Sequence, residues 1–169
     1  MRLAYVLHPD RGATDALLGV VAAQLQAAGV ALAGAVQSNA GGDDPRCDMD
    51  LRLLPDGLVI RISQSLGPGS TGCRLDAGAL ETAVGLVEPR LAAAELLIVN
   101  KFGKHEAEGR GFRALVAEAL AQGMPVLIGV NAANLVAFEE FSGGLAQPLA
   151  PDVGALVGWC LMYHLKNVV

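Results

Sequence analysis

Apolar residues along the chain alternate between short unbroken runs and helical spacing. Leu3 to Leu7 is one such run, closed by His8-Pro9-Asp10; a proline cannot donate to a sheet ladder, so a buried strand turning into a loop is expected. From Thr14 the positions Leu17, Leu18, Val21 and Leu25 recur at helical spacing, with Thr14 as the expected cap and Gly29 as the stop. Ala31 to Gln37 predicts a second strand, and the polar, glycine-rich stretch Ser38 to Arg46 a loop. Met49 to Leu54, Pro55-Asp56-Gly57 and Leu58 to Ser63 predict a β-hairpin, because Asp-Gly accepts the positive φ of such turns.

Between Leu66 and Gly72, four glycine or proline positions leave too little side chain for helix or strand. Asp76 is the expected cap of a helix from Ala77 to about Ala93, followed by a buried strand from Glu95 to Val99. Gly111 to Ala121 predicts a helix, Pro125 to Val130 a strand, and Ala132 to Phe141 a helix starting near Asn131. Asp152 to Lys166 closes the pattern as a helix carrying Val153, Leu156, Val157, Cys160, Leu161 and His164 on one face. That face is wide enough to dock on the sheet or on a second copy of the chain. The order β-α-β-hairpin-α-β-α-β-α implies an α/β fold, a mostly parallel sheet joined by right-handed crossovers, with helices on both faces and an inserted hairpin. A length of 169 residues suits a single domain over 1–169.

Composition narrows the function classes. Hydrophobic residues make up 53% and charged residues 17%, yet no apolar run reaches the ~20 residues of a bilayer-spanning helix, so no membrane role is expected. The apolar stretch at the start is short and no small-residue cleavage site follows it, unlike a secretory leader. Cys47, Cys73 and Cys160 form no even framework and no C-x-x-C spacing, which predicts a reducing, cytoplasmic setting. A net charge of −5 and only 4% aromatic residues offer neither a basic field nor stacking platforms to nucleic acid.

In doubly wound sheets ligands bind outside the carboxyl ends of the strands, which directs attention to His8 to Thr14 and Asn100 to Lys104. A phosphate-binding P-loop needs G-x-x-x-x-G-K-[ST]. In Asp10-Arg11-Gly12-Ala13-Thr14-Asp15, Gly12 and Thr14 stand at the second glycine and the hydroxyl, but Ala13 replaces lysine and the first glycine is missing. Arg11 can supply charge, and a helix N-terminus attracts an anion through its amides and dipole. A nucleotide hydrolase of this layout places an aspartate and a glutamate after the strand Leu96 to Val99; here Asn100 and Lys101 stand there. Losing both acids removes the harbour for Mg²⁺, whereas Arg11, Lys101, Lys104 and Arg110 or Arg113 can converge on an anion without metal. An ordinary βα loop has the same composition, and Lys101 and Lys104 read equally as solvated charges.

Cys47 and Cys73 each adjoin charged residues, a setting that favours a reactive or metal-binding thiolate, with His8 or His105 as further zinc ligands. Asp48 and Asp50 point to one side of a strand, as a functional pair or as a solvated edge. Ser63, Gln64 and the following glycine-rich loop offer hydroxyl, amide and backbone N–H groups to an oxyanion. Cys160 reads as core and His164 as a satisfied histidine.

Asn100-Lys101-Phe102-Gly103-Lys104-His105-Glu106, followed by Gly109-Arg110-Gly111-Phe112-Arg113, resembles the Asp-Glu-x-Gly-Lys-Met-Glu-Leu region of small thermophile nucleoside-triphosphatases through Gly103, Lys104, Glu106 and Phe112. Over most of its length the chain is also similar to an uncharacterised bacterial family found beside molybdate-transport genes. Asp10 to Asp15, Cys47 to Leu51, Arg61 to Gln64, Gly72 to Asp76 and Asn100 to Lys104 carry that likeness. The resemblances imply a three-layer, P-loop-NTPase-like fold, with a nucleotide or molybdate as ligand and no named reaction. The ligand-binding residues so expected are Asp10, Arg11, Gly12, Ala13, Thr14, Asp15, Cys47, Asp48, Gln64, Cys73, Asn100, Lys101, Gly103, Lys104 and Arg110, with no metal site. Three functions remain open. The first is an anion-binding accessory or regulatory protein of molybdenum metabolism. The second is a divergent nucleoside-triphosphatase or phosphotransferase whose metal sits on Asp10, Asp15, Asp48 or Glu106. The third is an interaction protein whose last helix packs against a partner or a copy of itself.

Overall fold

The computed structural model describes residues 1–10, 12–40, 48–64, 69 and 74–167, with only the backbone at 39, 40, 48, 74, 166 and 167. Each apolar run of the sequence becomes a strand of one seven-stranded sheet. From the hairpin edge inward lie β4 (Val59–Arg61), β3 (Asp48–Leu54), β2 (Leu32–Ala40) and β7 (Leu96–Phe102). Then come β8 (Val126–Val130), β1 (Leu3–Val6) and the opposite edge strand β9 (Gln147–Leu149). The pairings among β2, β7, β8, β1 and β9 are parallel, while β3 and β4 run antiparallel as the inserted hairpin. β8 is buried along its whole length, as a strand covered by helices on both faces must be.

One face of the sheet carries α1 (Ala13–Ala27) and α6 (Val153–Asn167), which meet through Leu18, Val21, Leu25, Leu156, Trp159 and Cys160. The other face carries α2 (Ala77–Val87), α4 (Arg113–Ala121) and α5 (Leu135–Ser142), packed through Leu80, Val87, Leu115, Val116 and Phe138. The result is three layers. A short ladder of β5 (Ser63–Gln64) with β6 (Arg74–Leu75) sits apart from the main sheet, and α3 (Lys104–Ala107) follows β7 directly. Among the described residues no helix is long and apolar enough to cross a membrane.

Several boundaries depart from the sequence expectation, each for a local reason. Thr14 does not cap α1: Gly12, with φ 77°, takes the cap position and makes no side-chain bond, since only glycine enters the left-handed region without cost. The helix expected over 77–93 becomes a 3-10 turn from Glu88, where Pro89 removes a backbone donor. Strand β7 continues to Phe102, so Asn100 and Lys101 belong to the strand and not to a loop behind it. The helix expected at Gly111 starts at Arg113. β2 runs to Ala40, into the expected loop, and β9 gave no signal because three residues around Pro148 have no readable period. The cap expected at Asp76 is present, accepting from Ala79 N at 3.0 Å; the helix expected over 132–141 opens as a 3-10 turn, Ala132–Asn134, where Asn131 accepts from Asn134 N at 3.0 Å, and is α-helical only from Leu135.

Two glycines permit the close passage of strands. Gly34 has φ 117°, and a Cβ there would collide with the carbonyl of Ile98 on β7. At Gly129 a Cβ would collide with the carbonyl of Asn100 and lie 2.9 Å from the Thr14 methyl. The β7–β8 register shifts between Val99 and Phe102, which is what brings the Asn100 carbonyl over Gly129.

Gly34→Ala combines positive φ with overpacking and should cost about 2–4 kcal/mol, read as a fall in melting temperature of roughly 5–15 °C. Burial pushes the Cys160 thiol up to about 12, so it stays protonated and unreactive well above neutral pH. Iodoacetamide at about pH 8.5 should alkylate Cys160 only as fast as the protein opens, as peptide mapping would reveal.

Candidate functional site

The carboxyl ends of β1, β7 and β8 open onto a cavity of about 360 Å³, walled by the 8–15 loop, by Asn100 and Lys101, and by Gly129 to Ala132. The loop is shaped by local bonds. His8 Nδ1 accepts from Asp10 N at 3.0 Å, Ala13 N donates to Asp10 O at 3.3 Å and Ala16 N to Gly12 O at 3.2 Å. The N–H of Thr14 finds no acceptor among the described residues, so the first turn of α1 presents an open donor and the positive end of the helix dipole. Asp10, Gly12, Thr14 and Asp15 all line this cavity, and Ala13 opens the helix between them.

Asn100 is only 4% exposed, and its amide is used on both sides. Its Oδ1 accepts from Gln37 N at 2.9 Å, which fixes the amide orientation. Its Nδ2 then donates to Asp15 Oδ1 at 2.9 Å and to Gln37 Oε1 at 3.5 Å. Three elements, β2, β7 and α1, are tied at one side chain. A carboxylate at this position could make neither donation and would face Asp15 with like charge.

The expected cations separate. Lys101 is exposed and lines the cavity, and no carboxylate among the described residues lies within ion-pair distance of it. Lys104 stands 3.8 Å from Glu108, and Arg110 also pairs with Glu108. The Arg110 hydrogen bond, with the charge of Lys104 adding to it, holds the Glu108 carboxyl below the usual carboxylate range. Arg113 donates to Glu106 O at 3.1 Å and lies over the Phe141 ring at 4.9 Å. Convergence of Lys104, Arg110 and Arg113 on the α1 terminus is therefore corrected: β7 runs three residues further than expected, and α3 turns these side chains toward Glu108 and Phe141.

The other expected residues scatter. Gln64 donates to Leu75 O at 3.4 Å on the surface, and Asp50 pairs with Arg61 at 2.9 Å. Arg11, Cys47, Cys73 and the side chain of Asp48 lie outside the described residues. His105 and Gly103 border a different cavity beneath β3. Glu106, a candidate metal ligand by sequence, is 4% exposed and spent on the backbone. One carboxylate oxygen accepts from Gly103 N at 3.0 Å and the other from Phe112 N at 3.1 Å. Gly111, with φ 61°, leaves the space this carboxylate fills, and its own N–H donates to Glu81 Oε1 at 2.7 Å. Sequence reasoning missed Gln37 and Asn131, which gave no signal beyond being polar residues at strand ends.

Asn100→Asp should destabilise the protein by about 2–3 kcal/mol at pH 7. The loss should shrink as pH falls through the carboxylate range, because protonating one acid of the facing pair removes the repulsion; urea unfolding across pH measures this. Glu106→Gln strips one of two charge-assisted acceptors and should cost about 1.5–3 kcal/mol, with faster amide exchange at Gly103 or Phe112.

The fold is that of P-loop nucleoside-triphosphatases. A human cancer-related nucleoside triphosphatase solved in solution shares it with a TM-score of 0.65 at 15% identity, over 99% of this chain and 98% of that one. THEP1 from the hyperthermophile Aquifex aeolicus shares it with a TM-score of 0.64 at 14% identity, over 100% and 97%. At those identities the likeness is one of fold. The Molybdenum import ATP-binding protein ModC 2 of Bradyrhizobium diazoefficiens is 35% identical over 161 residues. That stretch is 94% of this chain but 18% of the relative, so this chain spans less than a fifth of the relative's length. Residues 3–159 match the family described as a protein of unknown function (DUF2478), and the chain belongs to that family.

Proposed function

We propose that this chain is an anion-binding module with a degenerate P-loop, taking the phosphates of a nucleotide, or an oxyanion such as molybdate, at the α1 terminus. The observation that carries this reading is one cavity joining the open first turn of α1 to Lys101, which has no carboxylate partner among the described residues, with the neutral Asn100 beside them. At about 360 Å³ it lies in the ~300–1,000 Å³ range of small-molecule sites. The donors suit an anion: a backbone N–H, the helix dipole and one ammonium group. They fit Mg²⁺ poorly, since the strand end supplies an amide and a lysine where a metal would need carboxylates, and Asp15 already accepts from Asn100. Binding without hydrolysis follows from that set.

A role in molybdate import is favoured by the 35% identical relative, whose name is that of an import ATP-binding protein. In this reading the chain is a single cytoplasmic domain, accessory or regulatory to such a transporter, with neither nucleic acid nor lipid as partner. Self-association through α6 would use Met162 and Leu165, exposed beyond the face that packs on α1. Because Leu156, Trp159 and Cys160 are core, Leu165→Glu is a cleaner test of that contact than removing the helix; it should lower the mass seen by light scattering.

The second reading, a divergent nucleoside-triphosphatase or phosphotransferase, draws on Asp10 and Asp15 lining the same cavity. Titrating ATP, phosphate and molybdate with and without Mg²⁺ separates the two. Ligand at ~100 times its dissociation constant should stabilise by about 2.7 kcal/mol, equally with and without metal, and Lys101→Gln should weaken binding about tenfold. Absence of any anion-dependent stabilisation sinks the first reading. Mg²⁺-dependent phosphate release abolished by Asp10→Ala establishes the second instead.

A further inference from the structure

A second cavity lies beneath the hairpin, enclosing about 170 Å³. Met49, Leu51, Ile62, Leu75, Leu80 and Phe112 wall it, drawn from the hairpin, the small ladder, α2 and the turn before α4. Leu51, Ile62, Leu80 and Phe112 are buried, whereas Met49 and Leu75 are half-buried at the mouth. Walls of this kind hold water poorly, and an apolar cavity of about 150 Å³ accepts one benzene ring. The size suits a single six-membered ring.

The rim carries the opposite chemistry. Lys101 borders both this cavity and the one at the α1 terminus, and it has no carboxylate partner among the described residues. Lys104 and the half-buried His105 also border it. Among the described residues the one acid in the wall is Glu106, whose two oxygens accept from Gly103 N and Phe112 N. An apolar, ring-sized interior bordered by a lysine with no carboxylate partner among the described residues suits an amphipathic anion.

We propose that this cavity is a second ligand site, for a small monocyclic aromatic acid whose ring enters between Leu51, Leu80 and Phe112 and whose carboxylate or phosphate pairs with Lys101. The site stands whether or not the α1 cavity binds a nucleotide, because the two share only Asn100 and Lys101. Through Lys101 an acid held here would compete for the ammonium that the α1 cavity uses, so each ligand weakens the other.

Benzoate and phenyl phosphate are suitable probes, with benzyl alcohol as the neutral control and inorganic phosphate as the probe of the α1 cavity. Calorimetric titration of the whole chain should give one saturable site for both acids, with a dissociation constant of about 1 mM or tighter, and at least fivefold weaker binding of benzyl alcohol. The methyl resonances of Leu51 and Leu80 should shift on titration. Lys101→Gln should abolish the preference for the acids. Leu75→Trp should weaken them at least tenfold and leave inorganic phosphate unchanged, and Met49→Trp narrows the mouth from the other wall should Leu75→Trp fail to fold. The proposal is overturned if neither acid saturates below about 10 mM, if both are displaced one for one by inorganic phosphate without a methyl shift, or if ring-filling variants bind them as the wild type does. A failure of inorganic phosphate to bind, with benzoate still binding, would strike the α1 reading and leave this one intact.

Discussion

The amide of Asn100 is the interaction on which the rest of this region depends. It is buried, and in a low-dielectric setting an amide must have its donors and acceptor satisfied or destabilise the fold. Gln37 and Asp15 supply the partners, so the same side chain sets the spacing of β2 against β7 and the tilt of α1 over the strand ends. The bulge at Asn100 and Lys101 is part of that arrangement, because it lifts the Asn100 carbonyl over Gly129 and turns Lys101 out to solvent. The corner also holds two acids, Asp10 and Asp15, the second accepting from the Asn100 amide, with the exposed Lys101 beside them.

The architecture was legible in the sequence wherever an apolar run met a clear stop. Leu3 to Val6, Leu96 to Val99 and Val126 to Val130 are buried on both faces and read as unbroken apolar segments. Asp76 announced its cap through residue type alone. The hairpin was visible in Asp56-Gly57, where Gly57 has φ 80° and Asp56 accepts from Leu58 N at 3.1 Å. What could not be read was anything fixed by partners distant in the chain. Asn100 and Gln37 are 63 residues apart, and no local pattern shows that a strand continues through a polar residue when its side chain is satisfied from another strand.

The same limit explains the candidate site. Residue types at strand ends drew attention to the 8–15 loop and to Asn100 and Lys101, which line one cavity because the topology of a doubly wound sheet brings those ends together. Grouping Lys104 and Arg110 with them relied on proximity in sequence alone. The short α3 intervenes, and Glu108 collects both cations two to four residues away. Glu106 shows the converse: a residue that reads as functional by type is consumed by the backbone of the turn it organises.

The edge strand β9 bears on how copies of this chain can meet. It offers three residues, one of them Pro148, which lacks an amide hydrogen. An incoming strand would find too few donors there to extend the ladder, and at the far edge β4 is equally brief. Stacking of molecules edge to edge into a continuous sheet is thereby discouraged at both ends of the seven-stranded sheet.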